Sequence, residues 1–145
     1  MQIKQLSHQS IVDAITLANK LWTDCSENDL KELFNNLIDN PQALVLLAYI
    51  DDLIVGFCQC QLRNDYVEGS TSSPVGYLEG VYIEPNFRKQ NLAKVLVDKC
   101  CDWAKQKGCS EFASDCELNN DTSLKFHKKI GFKEANRIIC FIKKL

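Results

Sequence analysis

The chain has 145 residues, of which 46% are hydrophobic and 25% are charged. These proportions are typical of one globular domain and exclude a disordered, collagen-like or coiled-coil protein. The formal net charge of −2 argues against a general nucleic-acid binder. The longest apolar run, residues 43–50, is too short to cross a bilayer, and no apolar signal segment follows Met1. We therefore expect a single cytoplasmic domain over residues 1–145 that binds neither nucleic acid nor membrane.

In the first half of the chain, hydrophobic periodicity and turn residues predict a strand, two helices and two further strands. These elements are, in chain order, a strand over residues 1–6, a helix between Ser7 and Trp22, a helix that begins at Ser26 or Asn28 and stops at Asn40, and strands over 43–50 and 53–63. The two strands are predicted to form a hairpin around Asp51 and Asp52.

The second half begins with a surface loop over residues 64–74 and then alternates strands with helices. The predicted elements are a strand over 75–83, a helix from Leu92 to Gly108, a strand over 111–117, a helix from 119–121 to about Lys129, and a last strand over 137–143. The complete order is β-α-α-β-β-β-α-β-α-β, which predicts a mixed α/β sheet.

Eight cysteines are many for a chain of this length. No Cys-x-x-Cys motif occurs, and neither His8 nor His127 has a cysteine at the spacing of a zinc site, so we expect no metal. In a cytosolic protein these thiols should be reduced and mostly buried as small hydrophobic residues. Cys58 and Cys60, two residues apart in a predicted strand, should lie on one face of the sheet.

Acidic side chains cluster in two stretches, residues 64–85 and 109–121, which contain no Lys or Arg. The carboxylates are Asp65, Glu68, Glu79, Glu84, Glu111, Asp115, Glu117 and Asp121. Basic residues instead concentrate in the helix after residue 87 and in the C-terminal stretch. One explanation of this segregation is ordinary solvated surface charge. The more specific explanation is that the acidic stretches bind a cationic ligand and the basic helix binds an anionic one.

A polar turn, residues 86–91, joins a predicted strand to a long helix. The backbone N–H groups of the turn, the positive end of the helix dipole and the side chains of Arg88 and Lys89 predict a site for a pyrophosphate. The turn resembles the acetyl-CoA loop of the GNAT superfamily of N-acetyltransferases, whose pattern is Arg/Gln-x-x-Gly-x-Gly/Ala. The residues that fill this pattern are Arg88, Lys89, Gln90, Asn91, Leu92 and Ala93. Asn91 stands where the family has Gly, and Asn tolerates a positive φ better than most residues.

A second block, residues 120–132, resembles the family motif Asn-x-x-Ala-x-x-Phe-Tyr-x-Lys-x-Gly-Phe. The resemblance implies a GNAT fold with splayed central strands and acetyl-CoA as co-substrate. It also implies that Asn120 hydrogen-bonds the pantetheine arm and that the backbone of Val81 and Ile83 contacts the same arm. His127 replaces the tyrosine that often protonates the departing thiolate.

Further segments are similar to aminoglycoside 6'-N-acetyltransferases, and the similarity covers nearly the whole chain. They are Gly76-Tyr77-Leu78-Glu79-Gly80, Glu111-Phe112-Ala113-Ser114-Asp115 and Leu21-Trp22. This resemblance implies a polycationic aminoglycoside as substrate and acetylation of its 6'-amine. The apolar C-terminal strand either pairs across a dimer, as in related enzymes, or lies within one subunit, and we expect a homodimer. An aminoglycoside carries several ammonium groups, so it suits the acidic stretches.

Two carboxylates are the candidate catalytic and substrate-binding groups. Glu79 precedes Val81 by two residues and should share its strand face if no bulge intervenes, while Asp115 lies on the next strand. Glu79 and Asp115 would then flank the cleft and orient the amine or accept its proton through water. Trp22 and Tyr66 are further candidates for contact with the substrate.

Two alternatives stay open at this point: a GNAT enzyme for another cationic amine, such as a polyamine, a metabolite or a protein lysine, and a non-catalytic acyl-CoA sensor. His127 is a candidate acid because an imidazole titrates near neutral pH. A CoA thiolate is only weakly basic and can leave without help. We therefore expect His127 to line the cofactor channel without being essential.

Overall fold

The computed structural model describes residues 1–145 and contains one five-stranded sheet with the strand order β1-β2-β3-β4-β5. The strands are β1 (Gln2–Gln5), β2 (Ala43–Ile50), β3 (Leu53–Arg63), β4 (Val75–Ile83) and β5 (Phe112–Ala113). Strands β1 to β4 are antiparallel, and β5 runs parallel to β4. The sheet is therefore mixed, as predicted.

Four α-helices cover the sheet: α1 (Ile11–Leu21), α2 (Glu27–Ile38), α3 (Leu92–Gln106) and α4 (Asp121–Lys129). Short 3-10 helices at His8–Ser10 and Pro85–Phe87 precede α1 and α3. The element order agrees with the predicted order as far as α4. None of these helices combines the length and the apolar character that a membrane span requires.

Local sequence signals explain where several elements begin and end. A capping box between Ser26 and Asp29 starts α2, because each side chain accepts a hydrogen bond from the backbone N–H of the other residue. Gly108, with φ of +90°, follows the end of α3, where a left-handed residue is favoured. Asp51 and Asp52 both have positive φ and form the two-residue turn that joins β2 to β3.

The core has two parts, one on each face of the sheet. On one face, α1 and α2 pack against apolar side chains that include Leu47 and Phe57. On the other face, α3 packs against Cys58 and Cys60, which confirms that these two cysteines share a face. Burial raises the pKa of the Cys58 thiol and keeps it uncharged within this core.

The eight cysteines are all free, but the prediction that most are buried is only half right. Cys58, Cys60, Cys100 and Cys109 are buried, and Cys101 is half-buried. Cys25, Cys116 and Cys140 are exposed. The difference arises because these three lie outside the helices and strands that form the core.

The predicted last strand, residues 137–143, is not present as a strand. Ile139, Phe141 and Ile142 are 80%, 91% and 94% exposed, and no ladder pairs this segment with the sheet. The predicted strand over 111–117 is likewise reduced to Phe112–Ala113. A strand needs a partner, and within this chain neither the end of β5 nor the C-terminal segment has one beside it.

Candidate active site

The turn before α3 has the geometry of an anion site. Asn91 has φ of +62° and ψ of +10°, so it adopts the left-handed conformation that its place in the motif requires, and Lys89 has φ of +63°. Because the first N–H groups of α3 have no partner inside the helix, they point with the positive end of its dipole at this turn. Arg88 lies beside it, where its Nε donates a hydrogen bond of 2.8 Å to the carbonyl of Ile83.

The backbone of β4 has an open edge next to this turn. The N–H of Glu84 donates to the carbonyl of Val55 at 2.8 Å, so alternation along β4 directs the backbone groups of Val81 and Ile83 away from β3. On that side β5 pairs with β4 only at Gly76 and Tyr77. The pairing ends there, and the backbone of Val81 and Ile83 has no strand opposite it. This gap is where the splayed strands were predicted.

A β-bulge lies in β4 immediately before that edge. Gln59 is opposite Gly80, but the next residue of β3, Cys60, is opposite Leu78, so Glu79 is an extra residue in β4. The expectation that Glu79 shares the face of Val81 depended on the absence of a bulge, and it is therefore wrong. Val81 packs with the α3 side of the core, whereas the carboxylate of Glu79 pairs with Arg63 beside Tyr77.

Glu79 forms an ion pair with Arg63 that uses both of its carboxylate oxygens. The Nη2 of Arg63 lies 2.9 Å from Oε1 and 3.0 Å from Oε2 of Glu79, and its Nε lies 3.2 Å from Oε1. The guanidinium carbon also sits 3.4 Å from the centroid of the Tyr77 ring. This stack and the two-oxygen contact fix the position of both side chains.

Tyr77 brings the two candidate carboxylates together. Its ring is buried, and burial together with the nearby carboxylate of Asp115 raises the pKa of Tyr77 to about 12. The guanidinium of Arg63, which stacks on the ring and binds Glu79, acts to lower the pKa of Tyr77, and the carboxylate of Glu79 adds a smaller rise. Glu79 and Asp115 therefore lie around one buried phenol, although they come from different strands.

Trp22 and Tyr66, the two aromatic candidates, have different surroundings. Trp22 caps the end of α1, packs edge-on against Phe57 and lies against Gly80, where an added Cβ would be only 2.6 Å from its ring. Trp22 thus adjoins the bulge in β4. Tyr66 is 80% exposed, and its hydroxyl donates to Glu68 at 2.8 Å within the same loop, not to Glu79 or Asp115.

The second motif block forms α4. Asn120 caps this helix through its Oδ1, which accepts a hydrogen bond of 3.0 Å from the N–H of Ser123. Both ring nitrogens of His127 have partners: Nδ1 lies 2.7 Å from the carbonyl of Ser123, and Nε2 lies 2.9 Å from Oγ of Ser114. Ser114 in turn lies 3.3 Å from the carbonyl of Leu78, so this chain of contacts links α4 to β4.

Several carboxylates of the acidic stretches already have partners in the chain. Glu84 is paired with Lys20 of α1, and Glu68 accepts from Tyr66 and Asn136. Glu111 accepts hydrogen bonds from Thr71 and Ser72, which lower the pKa of its carboxyl group. The stretches therefore present fewer free carboxylates to a ligand than their sequence suggests.

Sequence reasoning missed two residues of the site, Arg63 and Tyr77. Arg63 ends β3 one residue before the base-free stretch, and the antiparallel register of β3 and β4 carries it back to Glu79. Tyr77 was part of a recognised motif, but nothing local indicated that its hydroxyl would meet Asp115. Antiparallel pairing of the predicted strands 53–63 and 75–83 would have indicated that Arg63 lies near Glu79.

The surface also has a concavity away from β4 and α3. A concavity of about 270 Å³ is lined by residues that include Lys4, Asp13, Tyr49 and Asp52, and none of its lining residues comes from β4 or α3. It is therefore separate from the open strand edge. No group of three or more His, Cys, Asp or Glu side chains is arranged to hold a metal ion.

Comparison with known proteins agrees with this geometry. The sequence profile described as the acetyltransferase (GNAT) family matches residues 11–132. The chain is 40% identical to the aminoglycoside N(6')-acetyltransferase type 1 of Acinetobacter haemolyticus over 145 residues, which is 100% of this chain and 99% of that protein.

Solved structures give the same result. An apo crystal structure of the aminoglycoside antibiotic 6'-N-acetyltransferase AAC(6')-IG from Acinetobacter haemolyticus has a TM-score of 0.97 and 39% identity, over 100% of this chain and 99% of that one. AAC(6')-Iy in complex with the bisubstrate analogue CoA-S-monomethyl-acetylneamine has a TM-score of 0.95 and 31% identity, over 99% and 98% of the two chains. The chain therefore belongs to the GNAT family of acetyltransferases, in the branch of the aminoglycoside 6'-N-acetyltransferases.

Proposed function

We propose that this enzyme transfers the acetyl group of acetyl-CoA to the 6'-amine of an aminoglycoside by direct attack in a ternary complex. The observation that carries the proposal is the open backbone edge of β4 at Val81 and Ile83, which lies between the turn before α3 and the carboxylate of Glu79 beside Tyr77. Carboxylates there suit an ammonium-rich acceptor, and the edge and the turn before α3 suit the pantetheine and phosphates of CoA. Relatives that carry the name aminoglycoside N(6')-acetyltransferase support the acceptor.

The cofactor is held by three parts of the chain. The turn before α3 and the first residues of α3 bind the pyrophosphate through the N–H groups of the six motif residues, Arg88, Lys89, Gln90, Asn91, Leu92 and Ala93, and through the side chains of Arg88 and Lys89. The N–H groups of Val81 and Ile83 and the C=O group of Val81 bind the pantetheine arm as an added strand would, while the C=O group of Ile83 already accepts from Arg88. Asn120 and His127 border the arm from α4.

In the reaction, the neutral 6'-amine attacks the carbonyl carbon of the thioester, and a C–N bond forms. An N–H group on the open edge, at Val81 or Ile83, stabilises the oxyanion of the tetrahedral intermediate. The C–S bond then breaks, CoA leaves as a thiolate, and the nitrogen loses its proton to water or to a carboxylate. The thiolate takes up a proton from solvent, so charge and atoms balance.

Glu79 and Asp115 orient the substrate and take part in removing the proton that the 6'-ammonium must lose before attack. A carboxylate is a weak base toward an ammonium group, so a water relay or binding of the neutral amine serves this step. Trp22, which borders the bulge, offers an aromatic surface to a sugar ring. Tyr66 contributes a second one from the exposed loop.

We further propose that the protein is a homodimer formed through its C-terminal segment. Residues 138–145 expose Ile138, Ile139, Phe141, Ile142 and Leu145 to solvent, an arrangement that a chain avoids when it is alone. β5 is the edge strand of the sheet and is only two residues long. If the C-terminal segment of each copy pairs near the β5 edge of the other, the apolar residues of both segments are covered.

The proposal places the enzyme in the cytoplasm. There it confers resistance, because acetylation of the 6'-amine removes a positive charge from the antibiotic. The eight free cysteines support a reducing compartment. Residues 1–145 form one N-acetyltransferase domain, which the single sheet with its two packed faces supports.

The test is an assay of free thiol with purified protein, acetyl-CoA and one amine at a time. We expect thiol release with kanamycin and not with spermidine, and a product acetylated at the 6'-amine by mass spectrometry and NMR. Release with spermidine or a lysine peptide in place of kanamycin would favour a GNAT enzyme for another amine. Binding of acetyl-CoA without release on any amine would indicate an acyl-CoA sensor.

A further inference from the structure

Arg63 occupies the position at which a substrate ammonium would contact Glu79. Its guanidinium covers both carboxylate oxygens, at 2.9 Å and 3.0 Å, and stacks on the ring of Tyr77 at 3.4 Å. Asp115 is close enough to the same tyrosine to raise the pKa of its hydroxyl. A cation of the protein itself thus already occupies one of the two carboxylates proposed to bind a cationic substrate.

The pair is neither sealed in the core nor free in solvent. The side chains of Arg63 and Glu79 are 38% and 18% exposed, so a ligand can reach the carboxylate and the guanidinium can move away toward water. An ion pair with this exposure is weak enough to be exchanged, because solvent screens it and hydrates the released arginine.

From this arrangement we infer that Arg63 is a specificity-determining residue that competes with the substrate for Glu79. The inference rests on the proposed function. A substrate ammonium that reaches Glu79 must displace the guanidinium or share the carboxylate with it, and in either case it meets the positive charge of Arg63. An acceptor with one amine makes one contact at this site, and the competition with Arg63 cancels most of the binding free energy of that contact.

A polycationic acceptor is affected less. Its further ammonium groups contact other carboxylates, among them Asp115, and those contacts are unaffected by the exchange at Glu79. Arg63 therefore favours acceptors with several ammonium groups over small amines, which is discrimination by an unfavourable contact as well as by favourable ones.

The test compares wild type with Arg63→Gln, Glu79→Gln and the double variant, by steady-state kinetics for kanamycin and by calorimetry. Removal of the competing cation should lower KM and Kd for kanamycin about two- to fivefold, the range that a half-exposed ion pair supports. The KM for acetyl-CoA should not change. In the Glu79→Gln background the same Arg63 substitution should have no effect on KM, because nothing is left to compete for.

Two matched variants complete the design. Arg63→Lys keeps the charge but loses the planar fork and much of the stack, so its KM for kanamycin should lie between those of wild type and Arg63→Gln. Lys105→Gln removes one partner of a more exposed pair, Lys105 with Asp102, at the far end of α3, and should leave all constants unchanged. The Arg63→Gln variant should also acetylate a monoamine such as glucosamine faster than wild type does.

An unchanged KM in Arg63→Gln, or an equal change in the Glu79→Gln background, would overturn the competition. A higher KM together with a lower kcat and a lower Tm would show that Arg63 instead holds Glu79 in place. These results differ from a failure of the proposed function, in which the wild-type protein itself would release no thiol with any aminoglycoside.

Discussion

Nε2 of His127 lies 2.9 Å from Oγ of Ser114, at the point where the pairing of β4 with β5 has just ended. Because Ser114 also approaches the carbonyl of Leu78, the imidazole connects α4 to the beginning of the gap between the two strands. The rings of Phe126 and Phe132 lie edge-on to the imidazole, 5.7 Å and 5.2 Å away. Contacts at both ring nitrogens and with two aromatic rings suit His127 to a structural role, in which it holds α4 in place beside β4.

We predict that His127→Ala lowers kcat by less than about tenfold, below the range of about 10² to 10⁴ that a general acid contributes. The shape of the kcat profile between pH 6 and 9 should not change, and Tm should fall because two hydrogen bonds are lost. A loss of a hundredfold or more with one limb of the profile missing would identify His127 as the acid that protonates CoA.

The left-handed conformation of Asn91 leads to a second prediction, for acetyl-CoA binding measured by calorimetry. Asn91→Gly should bind as well as wild type or more tightly, since Gly adopts a positive φ without strain. Asn91→Val should bind much more weakly, because a β-branched residue at positive φ is strained by about 1–3 kcal/mol. Equal affinity of the two variants would contradict a role for this turn geometry.

The carboxylates around Tyr77 provide a third prediction. Asp115→Asn and Glu79→Gln should each lower kcat/KM for kanamycin by about ten- to a hundredfold, the effect of one lost hydrogen bond to a charged group. Their affinity for acetyl-CoA should stay within a factor of about two, since the turn before α3 is untouched. As a control, Asp102→Asn removes a carboxylate from an exposed pair on α3 and should change neither constant. If either variant lost acetyl-CoA binding and kept kanamycin binding, its assigned role would be wrong.

The exposed C-terminal segment provides a fourth prediction, tested by analytical ultracentrifugation. The wild-type protein should sediment as a dimer, and Phe141→Glu should sediment as a monomer because a charge is then placed in the buried interface. The matched control is Val12→Glu, which adds the same charge at an exposed apolar residue of α1 and should remain dimeric. A monomeric wild type, or a dimeric Phe141→Glu variant, would show that this segment does not join two copies.

Much of the central sheet could be predicted from local sequence. The bounds of β2, β3 and β4 agree with prediction residue for residue, because each is an apolar run between residues that favour turns. The last predicted strand shows the limit of the same reasoning. Its apolar residues favour a strand, but they carry no information about whether a partner strand lies beside it.

Some features of the candidate site could likewise be predicted from local sequence, and others depended on the tertiary structure. By itself the sequence determined the polar turn before α3, the positive φ at Asn91 and the membership in an acetyltransferase family, since those properties lie in short contiguous motifs. Only the tertiary structure decided that a bulge turns Glu79 away from Val81, that Arg63 covers its carboxylate and that Tyr77 meets Asp115. The physical reason is that a one-residue shift of register reverses the side of the sheet on which a side chain lies, and that shift depends on the pairing of strands far apart in the chain.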